Sequence, residues 1–309
     1  MAPVPADVEW IAVDWGTTNM RAFAIAGDSV LDRIDAPLGM GGLEPRQFEP
    51  ALLSVVSPWL ETGRRKSVVA CGMVGARQGW VEVPYLPAPA PPLDAAAMRD
   101  VATADPRISV TIVHGMSQAE PADVMRGEET QIAGLLALRP GFAGLLCLPG
   151  THAKWARVEA GRVLSFTTFM TGEIFSLVAS QSILRHSLAG SDDTDGAAFD
   201  AAVAMAAGDP ASLAAHLFGT RPAGLLGSLG PSQARGRISG LLIGQEVAAM
   251  RGAWMGERVA LIGASALSAR YRQALEGLGC RDVETLDSAA CTVAGLVAAR
   301  RLLETARRS

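Results

Sequence analysis

The sequence predicts an α/β protein built as two lobes, and three observations predict it. The chain has 309 residues, 49% of them hydrophobic, enough to fill one or two large cores. A strand, a Gly-Thr turn and a hairpin occur twice: Gly150-Thr151-His152 follows one apolar run as Gly16-Thr17-Thr18 follows another, and Gly161 lies eleven residues after Gly150 as Gly27 does after Gly16. The second half then alternates helical patterns with short apolar strands.

In chain order, 10–14 reads as a strand ending in Asp14, followed by the turn 16–19 and alternating strands at 20–26 and 30–35. Helical spacing covers 46–60, with Pro58 favouring an early end. Strands are expected at 67–71 and 110–114, flanking a proline-dense segment, 84–92, that reads as a loop. A helix is expected over 127–138 and a buried strand over 145–148. Helical patterns follow at 172–185, 196–206, 212–217, 232–250, 264–278 and 289–307, with strands at 259–262 and 283–286.

Composition narrows the chemistry. A formal charge of −4 with no long run of one sign gives no footprint for nucleic acid or an anionic membrane, and a small-molecule partner is expected instead. Cys71, Cys147, Cys280 and Cys291 form no CxxC pair and read as reduced core thiols of a cytoplasmic protein. There is no basic-then-apolar leader and no uninterrupted apolar run of about 20 residues. His114, His186 and His216 have no metal-site spacing, and the acid-rich 191–196 lacks the glycine and glutamate of a calcium loop.

The first Gly-Thr turn carries the groups that phosphoryl transfer needs. Gly16 permits close backbone approach, Thr17 and Thr18 offer hydroxyls, and Asp14 at a strand end can hold Mg²⁺. A plain β-hairpin turn would use the same residue types. Its repetition at 150–152 favours phosphate.

At this point a resemblance becomes specific. Asp14 to Arg21, with Gly16, Thr17, Thr18 and Asn19, resembles the first phosphate loop of the actin, hexokinase and sugar-kinase superfamily. Gly150-Thr151-His152 resembles its second phosphate loop, and Gly263-Ala264-Ser265 after the strand 259–262 is similar to its adenosine motif. The blocks ACGMVGARQGWVEVPYLPAP, VMRGEETQIAGLLAL, LPGTHAKWARV and SGLLIGQEV look like the 2-dehydro-3-deoxygalactonokinase family. That resemblance implies two actin-like (ribonuclease H-like) lobes with an interlobe cleft, 1–140 and 141–309, the last helix from about 296 returning to the first lobe. It implies transfer of the ATP γ-phosphate, with Mg²⁺, to the 6-hydroxyl of 2-dehydro-3-deoxy-D-galactonate in galactonate breakdown. A homodimer is the superfamily's suggestion.

In the glycerol kinase branch a catalytic acid opens a helix about two dozen residues before the second-loop threonine. Glu129 lies 22 and Glu128 lies 23 residues before Thr151, and either can be the base; Glu173 is a weaker rival. Acids also simply stabilise a helix's first turn. Arg77, Gln78 and Trp80 resemble that branch's sugar-binding segment, and Arg126 offers a second guanidinium for a substrate carboxylate. Leu148 and Pro149 stand where several superfamily members carry a second-loop acid, so metal placement rests on Asp14.

Overall fold

The computed structural model describes residues 7–308 and divides into two compact units. One takes the chain through Phe142, with 158–166 and 288 onward; the other takes 143–157 and 167–287.

The first unit is organised on a six-stranded sheet. Its strands are β1 (Trp10–Trp15), β2 (Met20–Ala26), β3 (Ser29–Ala36), β4 (Lys66–Cys71), β6 (Arg99–Val101) and β7 (Ile108–Ile112), in the order β3-β2-β1-β4-β7-β6. β1 to β3 form an antiparallel meander, whereas β4 runs parallel to β1 and β7 parallel to β4. Helix α1 (Phe48–Val56) is shorter than the spacing predicts, because 3₁₀ turns at Pro45–Gln47 and Ser57–Trp59, each with a proline in its first two positions, flank it. The proline-dense loop contains a strand after all. β5 (Tyr85–Pro87) pairs with β8 (Gly115–Gln118) and β8 with β9 (Asp123–Met125), and β5 tolerates its proline because it lies at the edge of that small sheet.

Two-residue alternation gives the main sheet two buried faces. Ile11, Val13, Trp15, Val68 and Ala70 pack with α1. Trp10, Ala12, Phe23, Val69 and Cys71 face Ala133 of α2 (Glu128–Leu138) and Leu296, Ala299 and Leu303 of α11 (Ser288–Arg308). Asp14 shares its parity with Trp10 and Ala12, so the strand itself directs this carboxylate to the face that α2 covers.

A second, five-stranded sheet repeats the plan. β10 (Gly144–Leu148), β11 (Ala153–Glu159), β12 (Arg162–Phe169), β13 (Val259–Gly263) and β14 (Val283–Asp287) lie in the order β12-β11-β10-β13-β14. β13 is parallel to both β10 and β14. The meander followed by parallel strands, present once in each of the two sheets, is the duplicated topology of the actin-like (ribonuclease H-like) fold. The helices of the second unit are α3 (Thr171–Ser180), α4 (Arg185–Leu188), α5 (Gly196–Gly208), α6 (Leu213–Phe218), α7 (Thr220–Leu225), α8 (Pro231–Ala249), α9 (Arg251–Trp254) and α10 (Ser265–Gly277). Asp195 of the acid-rich loop caps α5 by accepting from the Ala198 amide at 2.8 Å.

Gly236, Gly240 and Gly244 place one glycine per turn along α8, against α5. A Cβ at Gly236 or Gly240 would run into the carbonyl oxygens of Asp195 and Phe199, and one at Gly244 would come within 2.7 Å of the Val203 Cα. These two helices therefore meet backbone to backbone. The four cysteines are buried and none is in a disulfide.

Candidate active site

Open α/β sheets bind ligands beyond the carboxyl ends of their parallel strands. In the first unit those ends bring together Asp14 of β1 and Cys71 of β4, which are register partners. Arg21 stands directly opposite Asp14 on β2 and donates Nη1 to its carboxylate at 3.1 Å. Asp35 of β3 is the next residue in that row, 3.8 Å from Arg21 Nε. Burial raises the Asp14 pKa and the Arg21 cation opposes the rise, while the Glu128 charge adds to it.

The first Gly-Thr turn is closed by the Gly16 amide donating to the Asn19 carbonyl at 2.9 Å. A segment that sequence reasoning missed holds it from behind. The amides of Gly39, Met40 and Gly41 donate to the carbonyls of Thr18, Gly16 and Thr17 at 2.9, 3.0 and 2.9 Å. A Cβ at Gly39 would overlap the Thr17 backbone. With its carbonyls occupied, the turn presents the exposed side chains of Thr17, Thr18 and Asn19. The run Gly39-Met-Gly-Gly42 was the available signal.

Two glycine turns meet beside these strand ends. Gly72, after β4, has φ +92° and Gly127, the N-cap of α2, has φ +105°, conformations that L side chains rarely adopt. A Cβ at Gly127 would lie 3.3 Å from the Gly72 Cα. This juxtaposition sets the start of α2 against the start of the Arg77-containing loop. Glu129, in the first turn of α2, is fully buried. Its carboxylate accepts from the Gly127 amide at 2.7 Å and the Thr130 hydroxyl at 2.9 Å. Burial, then the nearby Glu128 charge, pushes its pKa up to about 7. Burial, with the Asp14 and Glu129 charges close by, also pushes up the Cys71 thiol. Glu128 is half-buried and accepts from the Arg126 amide at 3.0 Å.

The predicted sugar-binding residues separate into exposed and packed groups. Arg77 and Gln78 are exposed in the turn after β4. Trp80 is half-buried, stacked 6.2 Å from Phe48 and edge-on to Trp15. The Arg126 guanidinium is buried, stacks 4.3 Å from the Tyr85 ring, and donates to the Val83 carbonyl at 2.6 Å. Its Nε and Nη1 have no hydrogen-bond partner among the described residues, and a Cβ at Gly75 would lie 2.9 Å from Nη1.

In the second unit Gly150, Thr151 and His152 form the turn between β10 and β11. The N-terminus of α3 backs it: the Glu173 amide donates to the Thr151 carbonyl at 2.9 Å, and a Cβ at Gly172 would collide with the Gly150 carbonyl. His152 Nε2 lies 2.6 Å from the Glu173 carboxylate. Lys154, also missed, is buried and donates to the His152 carbonyl at 3.1 Å. Gly263 ends β13, Ala264 caps α10 and Ser265 opens it. A Cβ at Gly263 would lie 2.8 Å from the buried Ser268 Oγ.

Beside this turn lies a cavity of about 710 Å³. Gly150, Thr151, Thr171 and Gly172 line one end, and Ala266, Leu267, Arg270 and Tyr271 of α10 line a wall. Asp192, Thr194 and Arg235 complete it, with Arg235 3.3 Å from Asp192 and Arg270 donating to the Thr194 carbonyl at 3.1 Å. The acid-rich loop 191–196 thus lines a pocket through Asp192 and Thr194. Its size and mixed apolar and cationic lining suit a nucleotide-sized anion.

A family model described as 2-keto-3-deoxy-galactonokinase matches residues 14–299. A Rhizobium meliloti (strain 1021) protein provisionally named 2-dehydro-3-deoxygalactonokinase is 38% identical, over 95% of this chain and 97% of its own. The Escherichia coli (strain K12) 2-dehydro-3-deoxygalactonokinase is 36% identical, over 88% and 90%. A crystal structure of a Sinorhizobium meliloti protein, provisionally given the same name, superposes with a TM-score of 0.85 at 37% identity, covering 94% of this chain and 96% of that one. Matches of this extent, over the same residues that form both Gly-Thr turns and the start of α2, show that the chain belongs to the 2-keto-3-deoxy-galactonokinase family.

Proposed function

We propose that the chain transfers the γ-phosphoryl group of ATP to the 6-hydroxyl of 2-dehydro-3-deoxy-D-galactonate, in galactonate catabolism. One observation carries the reading: a buried carboxylate, Glu129, whose pKa is lifted to about 7, stands at the carboxyl ends of the strands in a chain of this family. A base with that pKa can accept the proton of an attacking alcohol near neutral pH.

In this reading the first unit binds the sugar acid through Arg77, Gln78, Trp80 and Arg126, and Glu129 takes the hydroxyl proton. Glu128 tunes that base through its charge. The unengaged Nε and Nη1 of Arg126 and the exposed Arg77 supply cationic donors for an acid. In the second unit the cavity holds the nucleotide, with Gly150, Thr151 and His152 at its phosphate end and Gly263, Ala264 and Ser265 leading into the α10 wall.

Among the described residues no group of three or more His, Cys, Asp or Glu side chains could form a protein-only metal cage. A single carboxylate fits Mg²⁺, which keeps most of its ligands as water and phosphate, and the part-exposed Asp14 is the residue that would hold it. When bound, the metal screens the phosphoryl charge. Thr17, Thr18 and Asn19 offer the phosphates further donors. No helix among the described residues is long and apolar enough to cross a membrane, and a cytoplasmic site of action is the one that supplies ATP.

The test is ADP release by the purified protein with Mg-ATP and the galactonate-derived acid, its gluconate-derived epimer, glycerol and hexoses. Turnover of the galactonate-derived acid far above the rest supports the reading. Preference for the epimer or a hexose would reassign the substrate, and ATP binding without turnover would make the chain a sensor.

A further inference from the structure

Glu246 is a buried carboxylate with no part in the proton transfer above. It lies on α8, 2% exposed, and is hydrogen-bonded to two residues that line the second unit's cavity. Three donors converge on it: Trp155 Nε1 at 2.7 Å, the Tyr271 hydroxyl at 2.8 Å and the Thr171 hydroxyl. They come from three elements, β11, α10 and α3. Each bears on the nucleotide pocket. Trp155 follows the Gly150-Thr151 turn along the chain. Tyr271 and Thr171 line the cavity, and the residues after Thr171 brace that turn through Gly172 and the Glu173 amide. The helix carrying Glu246 packs closely on α5 through its glycines, so this one carboxylate ties β11, α10 and the start of α3 to a helix that is itself held against a neighbour.

An ionised carboxylate accepts from all three donors at once. Burial raises the Glu246 pKa, and the three hydrogen bonds work against that rise. A glutamine of nearly equal volume would turn an NH₂ group toward donors and lose at least one bond.

We propose that Glu246 is a positioning residue for the nucleotide, setting the spacing between the Gly150-Thr151 turn, the start of α3 and the α10 wall. The proposal rests on the reading of this cavity as the nucleotide site.

The test compares wild type, Glu246→Gln, Tyr271→Phe and Ala266→Trp, measuring KM for ATP, KM for the sugar acid, ADP affinity by calorimetry and thermal stability. For Glu246→Gln, KM for ATP and Kd for ADP should rise roughly tenfold, the loss expected of one charge-assisted hydrogen bond, while KM for the sugar acid stays within about twofold. A lowered Tm with both KM values unchanged, or both KM values rising together, would overturn the proposal. If Glu246→Gln does not fold, Tyr271→Phe should show the same split at smaller amplitude, and no split overturns it. Ala266→Trp fills the cavity. If that substitution leaves KM for ATP and Kd for ADP unchanged, the nucleotide is not bound there and both the reading and the proposal fall; if it raises them while Glu246→Gln does not, only the positioning role fails.

Discussion

Gly295 of α11 lies against the backbone of Thr130, the residue after Glu129, so closely that an added Cβ would overlap the Thr130 carbonyl oxygen. The contact is reciprocated: Gly134 of α2 meets the Cys291 carbonyl of α11 in the same way. The helix that carries the candidate base is therefore located by backbone contact with the C-terminal helix, which itself packs on Trp10 and Ala12 of β1. Gly295→Ala must separate the two helices. It should cost about 3 kcal/mol, since neither partner is a flexible side chain. Chemical denaturation would measure the loss, and kcat should fall further than folding alone explains because the first turn of α2 moves with it.

Glu129→Gln and Glu128→Gln should behave differently. If Glu129 is the base, its amide variant loses turnover by orders of magnitude while remaining folded, and the wild-type kcat/KM falls about tenfold per pH unit below about 7. Because the Glu128 charge helps raise the Glu129 pKa, Glu128→Gln should keep turnover and move the acid limb to lower pH. Loss of turnover in Glu128→Gln, with Glu129→Gln still active, would make Glu128 the base, and an unmoved limb in an active Glu128→Gln would show that the Glu128 charge does not set the Glu129 pKa.

The same shift has a stability consequence with a definite sign. A carboxyl whose folded pKa is about 7, against an ordinary 4.5, binds its proton more tightly when folded. Its ionisation therefore costs stability progressively between those values, and the full cost is present above the upper one. Glu129→Gln removes that cost. Relative to wild type it should gain on the order of 3 kcal/mol in going from pH 4.5 to pH 8, read as a Tm difference that grows with pH.

Particular residues show what the sequence could and could not disclose. Asp14, the two Gly-Thr turns and the glutamates of α2 were legible because each is local: an apolar strand, a turn residue and a helix start lie within a few positions of one another. The duplicated sheet followed from that repeat. The brace at Gly39–Gly41 was signalled only by its glycines and not by where it acts, since it reaches the first turn from over twenty residues away through backbone amides. Glu246 was invisible for a similar reason: its donors at 155, 171 and 271 belong to three elements. The stacking of Trp80 on Phe48 likewise depends on packing between distant segments.

That brace can be tested alone. Gly39→Ala drives a methyl group into the Thr17 carbonyl and displaces the first Gly-Thr turn from its three amide donors. Gly42 has nothing within 4 Å of its would-be Cβ, so Gly42→Ala is the matched control. Turnover should fall at least about tenfold in the first variant and stay near wild type in the second.

Arg21 makes the last prediction. It faces Asp14 across the β1–β2 pair at 3.1 Å and is the largest influence opposing the burial-driven rise of the Asp14 pKa. Replacing it with methionine keeps much of the stem's packing and removes the cation. The Asp14 pKa must then rise further, leaving less carboxylate for Mg²⁺ as the pH falls. Arg21→Met should consequently raise the Mg²⁺ needed for half-maximal turnover, relative to wild type, progressively as the pH is lowered, and a ratio of the two requirements that does not change over the whole pH range of turnover would count against Asp14 as the residue that holds the metal.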